Sequence, residues 1–130
     1  PHICLKPHPW RPLKTSGSKR LIPLVGAAHE AVIIMHRQRV SQFLFNSYTD
    51  EKRCNGNSAS ATLNKWLKQY VHDAVVHSFR HSFRDRLRNV GVQSEMIDQL
   101  GGWSNKSIGQ GYGEGFSHQI MYENVKRLTL

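Results

Sequence analysis

"HSFRHSFR", residues 77–84, repeats a four-residue unit back to back, and each copy sets a His and an Arg three positions apart. Phe79, Phe83 and Leu87 fall at i, i+4 and i+8, and Val90 extends the row. That spacing predicts an amphipathic helix with the phenylalanines turned to the core. Asn89 and Gly91 supply its stop. On such a helix His77, Arg80, Arg84 and Arg88 share one face. His77 and Arg80 fall in the first turn, where unbonded N–H groups and the helix dipole favour an anion. A bidentate Arg beside a His suits a phosphodiester. The second copy, His81 and Arg84, lies one turn further in. Local physics therefore favours the first copy, against the plainer reading of a basic helix with an ordinary polar start.

Outward from this stretch, the chain reads as further short elements. Downstream, Met96, Ile97 and Leu100 predict a short helix from about Ser94 that ends at Gly101-Gly102. After the glycine-rich "IGQGYGEG" (108–115), Ser117 can cap a last helix with Ile120, Met121, Val125 and Leu128 as its apolar positions. That helix either joins the core or docks on a neighbouring protomer. Upstream, Leu63, Trp66, Leu67 and Tyr70 predict a helix with Trp66 and Tyr70 in the core. The polar "NSYTDEKRCNGNS" (46–58) reads as a surface loop with a turn at Asn55-Gly56. Ala28, Ala31, Val32 and Met35 predict a helix from Ala27 that fades near Ser41. Residues 1–25 read as extended. "HICLKPHPW" (2–10) and "KRLIPLVG" (19–26) flank a turn-like "KTSGS" with Gly17 in the loop, a β-hairpin whose four prolines exclude helix. The expected fold class is α+β, mostly helical, with a small N-terminal antiparallel hairpin sheet packed on a helical core.

The 130 residues suit one domain, and 38% hydrophobic content supports a folded one. No apolar run reaches membrane-spanning length, and the expectation is no membrane. Cys4 and Cys54 lie far apart and form no metal motif, so a reducing setting and no disulfide framework are expected. Lys and Arg number 18 against 9 Asp and Glu. Five basic residues (Lys6, Arg11, Lys14, Lys19, Arg20) precede the first acid, Glu30, and Arg80, Arg84, Arg86 and Arg88 form a second cluster. This footprint points to a polyanion, with nucleic acid as the leading partner. His72, Asp73, His77 and His81 are close in sequence, but no HExxH and no nearby Cys accompany them. Zinc needs three or four converging ligands, so the reading is no metal and no cofactor.

The segment from Val75 to Gly115 resembles the C-terminal catalytic core of the tyrosine recombinases, the phage integrase family. His77-Ser78-Phe79-Arg80 matches that family's H-x-x-R, and Leu100-Gly101-Gly102-Trp103 matches its Leu-Gly-His/Trp element. Tyr112 stands nine residues beyond Trp103, as the family's nucleophile does. "LKTSGSKRLIPL" (13–24) resembles the hairpin whose turn carries a catalytic lysine; Lys14 fits best and Lys19 is the alternative. The resemblance selects the first HSFR copy and implies a helical core of the tyrosine recombinase type. It implies catalytic roles for Tyr112, Arg80, His77, Trp103 and Lys14. Lys19, Arg20, Arg84 and Arg88 are left as contacts to the DNA backbone.

What the resemblance implies is site-specific recombination of double-stranded DNA through a 3′-phosphotyrosyl intermediate. It also implies a homotetramer on DNA, a monomer or weak oligomer without it, and a bacterial cytoplasm, host- or prophage-encoded. The family's first catalytic Arg has no match before Lys14. Residues 1–130 are therefore expected to be one partial catalytic domain, with that Arg and an upstream DNA-binding domain absent, inactive alone although the parent is an enzyme. The alternatives are a DNA-binding fragment without catalysis and a relaxing enzyme of the type IB topoisomerase kind.

Overall fold

The computed structural model describes residues 1–15, 18–103 and 115–129. Two strands come first, β1 (His2–Leu5) and β2 (Arg20–Pro23), and five helices follow: α1 (Gly26–Gln38), α2 (Gly56–Leu67), α3 (Ser78–Asn89), α4 (Ser94–Gly101) and α5 (His118–Lys126). A 3₁₀ turn at Arg127–Thr129 closes the described chain. The class is α+β, largely helical with a two-stranded antiparallel sheet.

The hairpin pairs His2 with Pro23 and Leu5 with Arg20. Its strands are shorter than the sequence suggests, because Pro7, Pro9 and Pro12 cannot donate to a ladder and all fall in the connection. Within that connection His8 and Arg11 exchange two backbone hydrogen bonds in a tight turn. Gly17, expected in the loop, lies outside the described residues. β2 packs on α4 and α5, so the sheet leans on the C-terminal helices.

Helix ends follow local chemistry. Gly91 and Gly102, with φ of 73° and 63°, accept the left-handed backbone that ends α3 and α4 at little steric cost. Ser117 caps α5 through a hydrogen bond from the Ile120 N–H. Asn55 caps α2 in the same way, accepting from the Ser58 N–H. The polar loop therefore ends earlier than expected: Asn55-Gly56 opens a helix instead of making a turn, since Asn favours both positions.

The core is built by the second half of the chain. Leu87, Val92, Met96, Ile97, Leu100, Met121 and Val125 form one buried cluster, with Phe83, Val90, Trp103, Phe116 and Leu128 packed against it. Met121 and Val125 place α5 in the core of its own chain. Other expectations fail. Trp66 and Tyr70 are exposed, at 53% and 67%, and pack on each other. Phe79 is 60% exposed, although Phe83 and Leu87 turn inward as expected. α1 buries no residue. Periodicity shows that a helix has an apolar face; it does not show that another element covers it. No described helix is long and apolar enough to cross a membrane.

Candidate active site

Three elements converge near the end of α4. α3 contributes Arg80 and Arg84, spaced one turn apart. The C-terminus of α4 contributes Gly101 and Gly102, followed by Trp103. β2 contributes Arg20. The Arg80 guanidinium lies 4.2 Å from the centre of the Trp103 ring and that of Arg84 lies 4.8 Å from it. Both contacts fall within the reach of a cation–π attraction.

The two glycines explain how the indole reaches this place. A Cβ on Gly101 would lie 1.7 Å from Trp103 Cζ3, so the ring folds back over a residue with no side chain. A Cβ on Gly102 would lie 2.3 Å from Arg20 Nη1. Arg20 fills that space. Its Nε donates to the Leu100 carbonyl at 3.0 Å and its Nη1 to the Ser18 carbonyl at 2.9 Å. A cation is favourable at a helix C-terminus, where carbonyls are left without partners. Burial first, and then the neighbouring Arg80 charge, lower the Arg20 guanidinium from its ordinary pKa.

Arg84 is engaged with the protein rather than standing free in a basic row. Its Nη2 lies 3.3 Å from Oδ1 of Asp98, a carboxylate buried on α4. Arg88, by contrast, is exposed and among the described residues makes an i,i+3 ion pair with Asp85, a kind of pair worth little. Arg80 makes no ion pair among the described residues.

His77 occupies the cap position of α3 and is exposed, with its ring edge-on to His81 at 5.5 Å. One expectation about this helix start does not hold. The N–H groups of Ser78, Phe79 and Arg80 already donate to the carbonyls of Val75, Val76 and His77. The turn before α3 winds tightly enough to satisfy them, so side chains rather than free amides must hold an anion here.

The two candidate lysines lie on either side of Arg20. Lys19 borders a cleft of about 380 Å³ together with Arg20, Asp98, Gly102, Trp103 and His118. Lys14 borders another, of about 410 Å³, with Arg11, Pro12, Ser18 and Arg20. Tyr112 lies outside the described residues. Downstream of it, Gln99 of α4 holds the chain by both ends of its amide: Nε2 donates to the Phe116 carbonyl at 3.0 Å and Oε1 accepts from the Phe116 N–H at 2.8 Å. Among the described residues, no three His, Cys, Asp or Glu side chains converge as metal ligands. The inward roles of Arg20, Asp98 and Gln99 have no periodic signature. A carboxylate within the apolar run "MIDQL" was the only hint of a buried partner.

This arrangement joins the H-x-x-R helix to the Leu-Gly-Gly-Trp turn, two motifs separated in the chain by residues 81–99. The sequence pattern of the phage integrase family matches residues 5–117, most of the length. The chain belongs to the phage integrase family. No curated protein and no solved structure matches it. Membership in the phage integrase family assigns the chain to the site-specific recombinases at a coarse level and makes DNA its class of partner.

Proposed function

We propose that the enzyme of which this integrase-family chain is a catalytic segment cuts and rejoins DNA strands through Tyr112; residues 1–130 hold no match for the family's first catalytic Arg and do not cleave by themselves. The observation that carries the proposal is the meeting of Arg80 with Trp103 at 4.2 Å, which puts the H-x-x-R cation beside the residue from which Tyr112 is counted. The Tyr112 hydroxyl gives up its proton, with His77 as the candidate acceptor, and its oxygen attacks the phosphorus of a phosphodiester. A 3′-phosphotyrosyl bond forms, the bond to the 5′-oxygen breaks, and that oxygen leaves as a hydroxyl after taking a proton. Attack by another 5′-hydroxyl reverses the steps and releases Tyr112. The ester bond is conserved throughout, so no external energy source is needed.

The residues divide the work by charge. Tyrosine, with a pKa near ~10, is a weak nucleophile at neutral pH and needs cations beside it. Arg80 clamps the non-bridging phosphoryl oxygens, where negative charge gathers in the transition state. His77 hydrogen-bonds or moves a proton at the same phosphate. The Trp103 indole N–H donates one hydrogen bond and cannot act as an acid or base. Lys14 protonates the leaving 5′-oxygen, with Lys19 as the alternative from the cleft that Trp103 lines. The partner is double-stranded DNA, and the working assembly is a homotetramer on it.

A nicked target-site duplex traps the covalent adduct, because the short strand beyond the cut diffuses away. In the protein that supplies the first catalytic Arg as well, Tyr112→Phe should bind this duplex as the unsubstituted form does and give no adduct on a denaturing gel. Arg80→Ala should slow adduct formation by about 10²–10³-fold, the scale for one lost transition-state donor. An adduct that survives Tyr112→Phe would refute Tyr112 as the nucleophile.

A further inference from the structure

Arg84 and Asp98 are the least expected pair in the site. Asp98 is 5% exposed and is the only charged residue of the described core. A buried carboxylate is costly unless it is paired and hydrogen-bonded. Arg84 reaches it from α3 at 3.3 Å, and the same guanidinium lies 4.8 Å from the centre of the Trp103 ring. One side chain thus touches both the helix that presents Trp103 and Trp103 itself. Arg80, one turn earlier, meets the same ring at 4.2 Å. Two guanidinium groups converging on one indole repel each other. The Asp98 carboxylate offsets the charge of Arg84.

We infer that Arg84 is a positioning residue: its bond to Asp98 locks α3 to α4 and holds the Trp103 indole against Arg80. The pair also separates the two HSFR copies in function. The first copy keeps a cation without a carboxylate partner among the described residues, ready for a phosphate. The second engages its half-buried cation with Asp98. A planar guanidinium suits this task because it can stack on a ring and bond a carboxylate at once, which an ammonium does less well. The inference rests on the strand-transfer reading only for its effect on cleavage; the placement of Trp103 stands on geometry alone.

The experiment uses the full chain with Trp10→Phe and Trp66→Phe, so that emission reports Trp103 alone. Arg84→Gln and Asp98→Asn are each added to it, and then both together. Circular dichroism verifies that each variant is folded at the working temperature. Each single variant should red-shift Trp103 emission and raise its quenching by acrylamide, and the double variant should do no more than either one, since the two residues act as a unit. On saturating nicked duplex, in the protein that also supplies the first catalytic Arg, adduct formation should slow by about 10- to 100-fold, the scale on which an ångström of misplacement acts. Affinity for DNA should stay within about twofold, because a buried Asp98 meets no phosphate. Arg84→Lys should restore part of both signals.

The opposite pattern overturns the inference. If Arg84→Gln weakens DNA binding and lowers the salt slope by about one, while Trp103 emission and the adduct rate at saturation stay unchanged, Arg84 is a phosphate contact. Normal emission and normal cleavage in Asp98→Asn would also sink it. If the protein that supplies the first catalytic Arg makes no adduct in any form but Trp103 emission shifts as stated, the positioning role stands and the strand-transfer reading fails.

Discussion

At the scale of single residues, the glycines before Trp103 explain an element that spacing alone leaves puzzling. Gly102 needs a left-handed backbone and room for the Arg20 guanidinium. Gly102→Ala should cost about 1–2 kcal/mol from the backbone alone, read as a lower midpoint in urea unfolding. Gly101→Ala acts differently. Its backbone is helical, so the helix itself tolerates alanine, but the methyl would occupy the space of the Trp103 ring. The expected result is a displaced indole and slow cleavage with little loss of stability. A Gly101→Ala variant with a normal adduct rate would show that the folded-back ring has no part in the chemistry.

At the scale of elements, α3 is buried unevenly, and that asymmetry makes a sharp contrast. Leu87, fully buried among Ile97 and Leu100, should cost about 2–5 kcal/mol on replacement by alanine. Phe79, exposed two turns earlier, should cost no more than about 0.5 kcal/mol despite its larger side chain. Thermal or urea unfolding of the two variants checks the difference, and similar losses would mean that the face of Phe79 is covered in solution. The turn before α2 carries a pH dependence. The Asp50 carboxylate accepts from the N–H groups of Lys52 at 2.8 Å and Arg53 at 2.9 Å, and these bonds hold its pKa below the ordinary carboxylate value. A depressed folded pKa means that the turn is supported above the unfolded value, near ~3.9, and loses that support as pH falls through the folded one. The Lys52 and Arg53 amide resonances should therefore move together below about pH 4, and Asp50→Ala should flatten both titrations.

At the scale of the whole molecule, charge dominates. With a net charge of +9, the chain should bind duplex DNA with an affinity that falls steeply as salt rises. Most of that affinity should come from phosphate contacts, which carry no base information, so mixed-sequence duplexes should compete well. Fluorescence anisotropy at several salt concentrations gives the slope. An affinity independent of salt would refute a phosphate-based interface. Binding and chemistry need not coincide on the surface. Arg88 stands exposed, whereas Arg20 and Arg84, both half-buried, are bonded to the Leu100 carbonyl and to Asp98.

The sequence by itself determined the helix over the doubled HSFR, its stop at Gly91, the short helix closed by Gly102 and the cap at Ser117. Each depends on residues within one or two turns of each other, and their rules are local. It also carried the family, through motif order and the nine-residue step from Trp103 to Tyr112. Tertiary structure alone decided which cations are engaged by the protein. Arg84 meets Asp98 across 14 residues and Arg20 meets Leu100 across 80, and no periodicity encodes a contact between helices or between a strand and a helix end. It decided too that the apolar faces of Trp66, Tyr70 and Phe79 stay exposed while those of Leu87, Met121 and Val125 are buried. Amphipathic spacing gives each helix an apolar face, and only the packing of the elements against one another selects which faces leave the water.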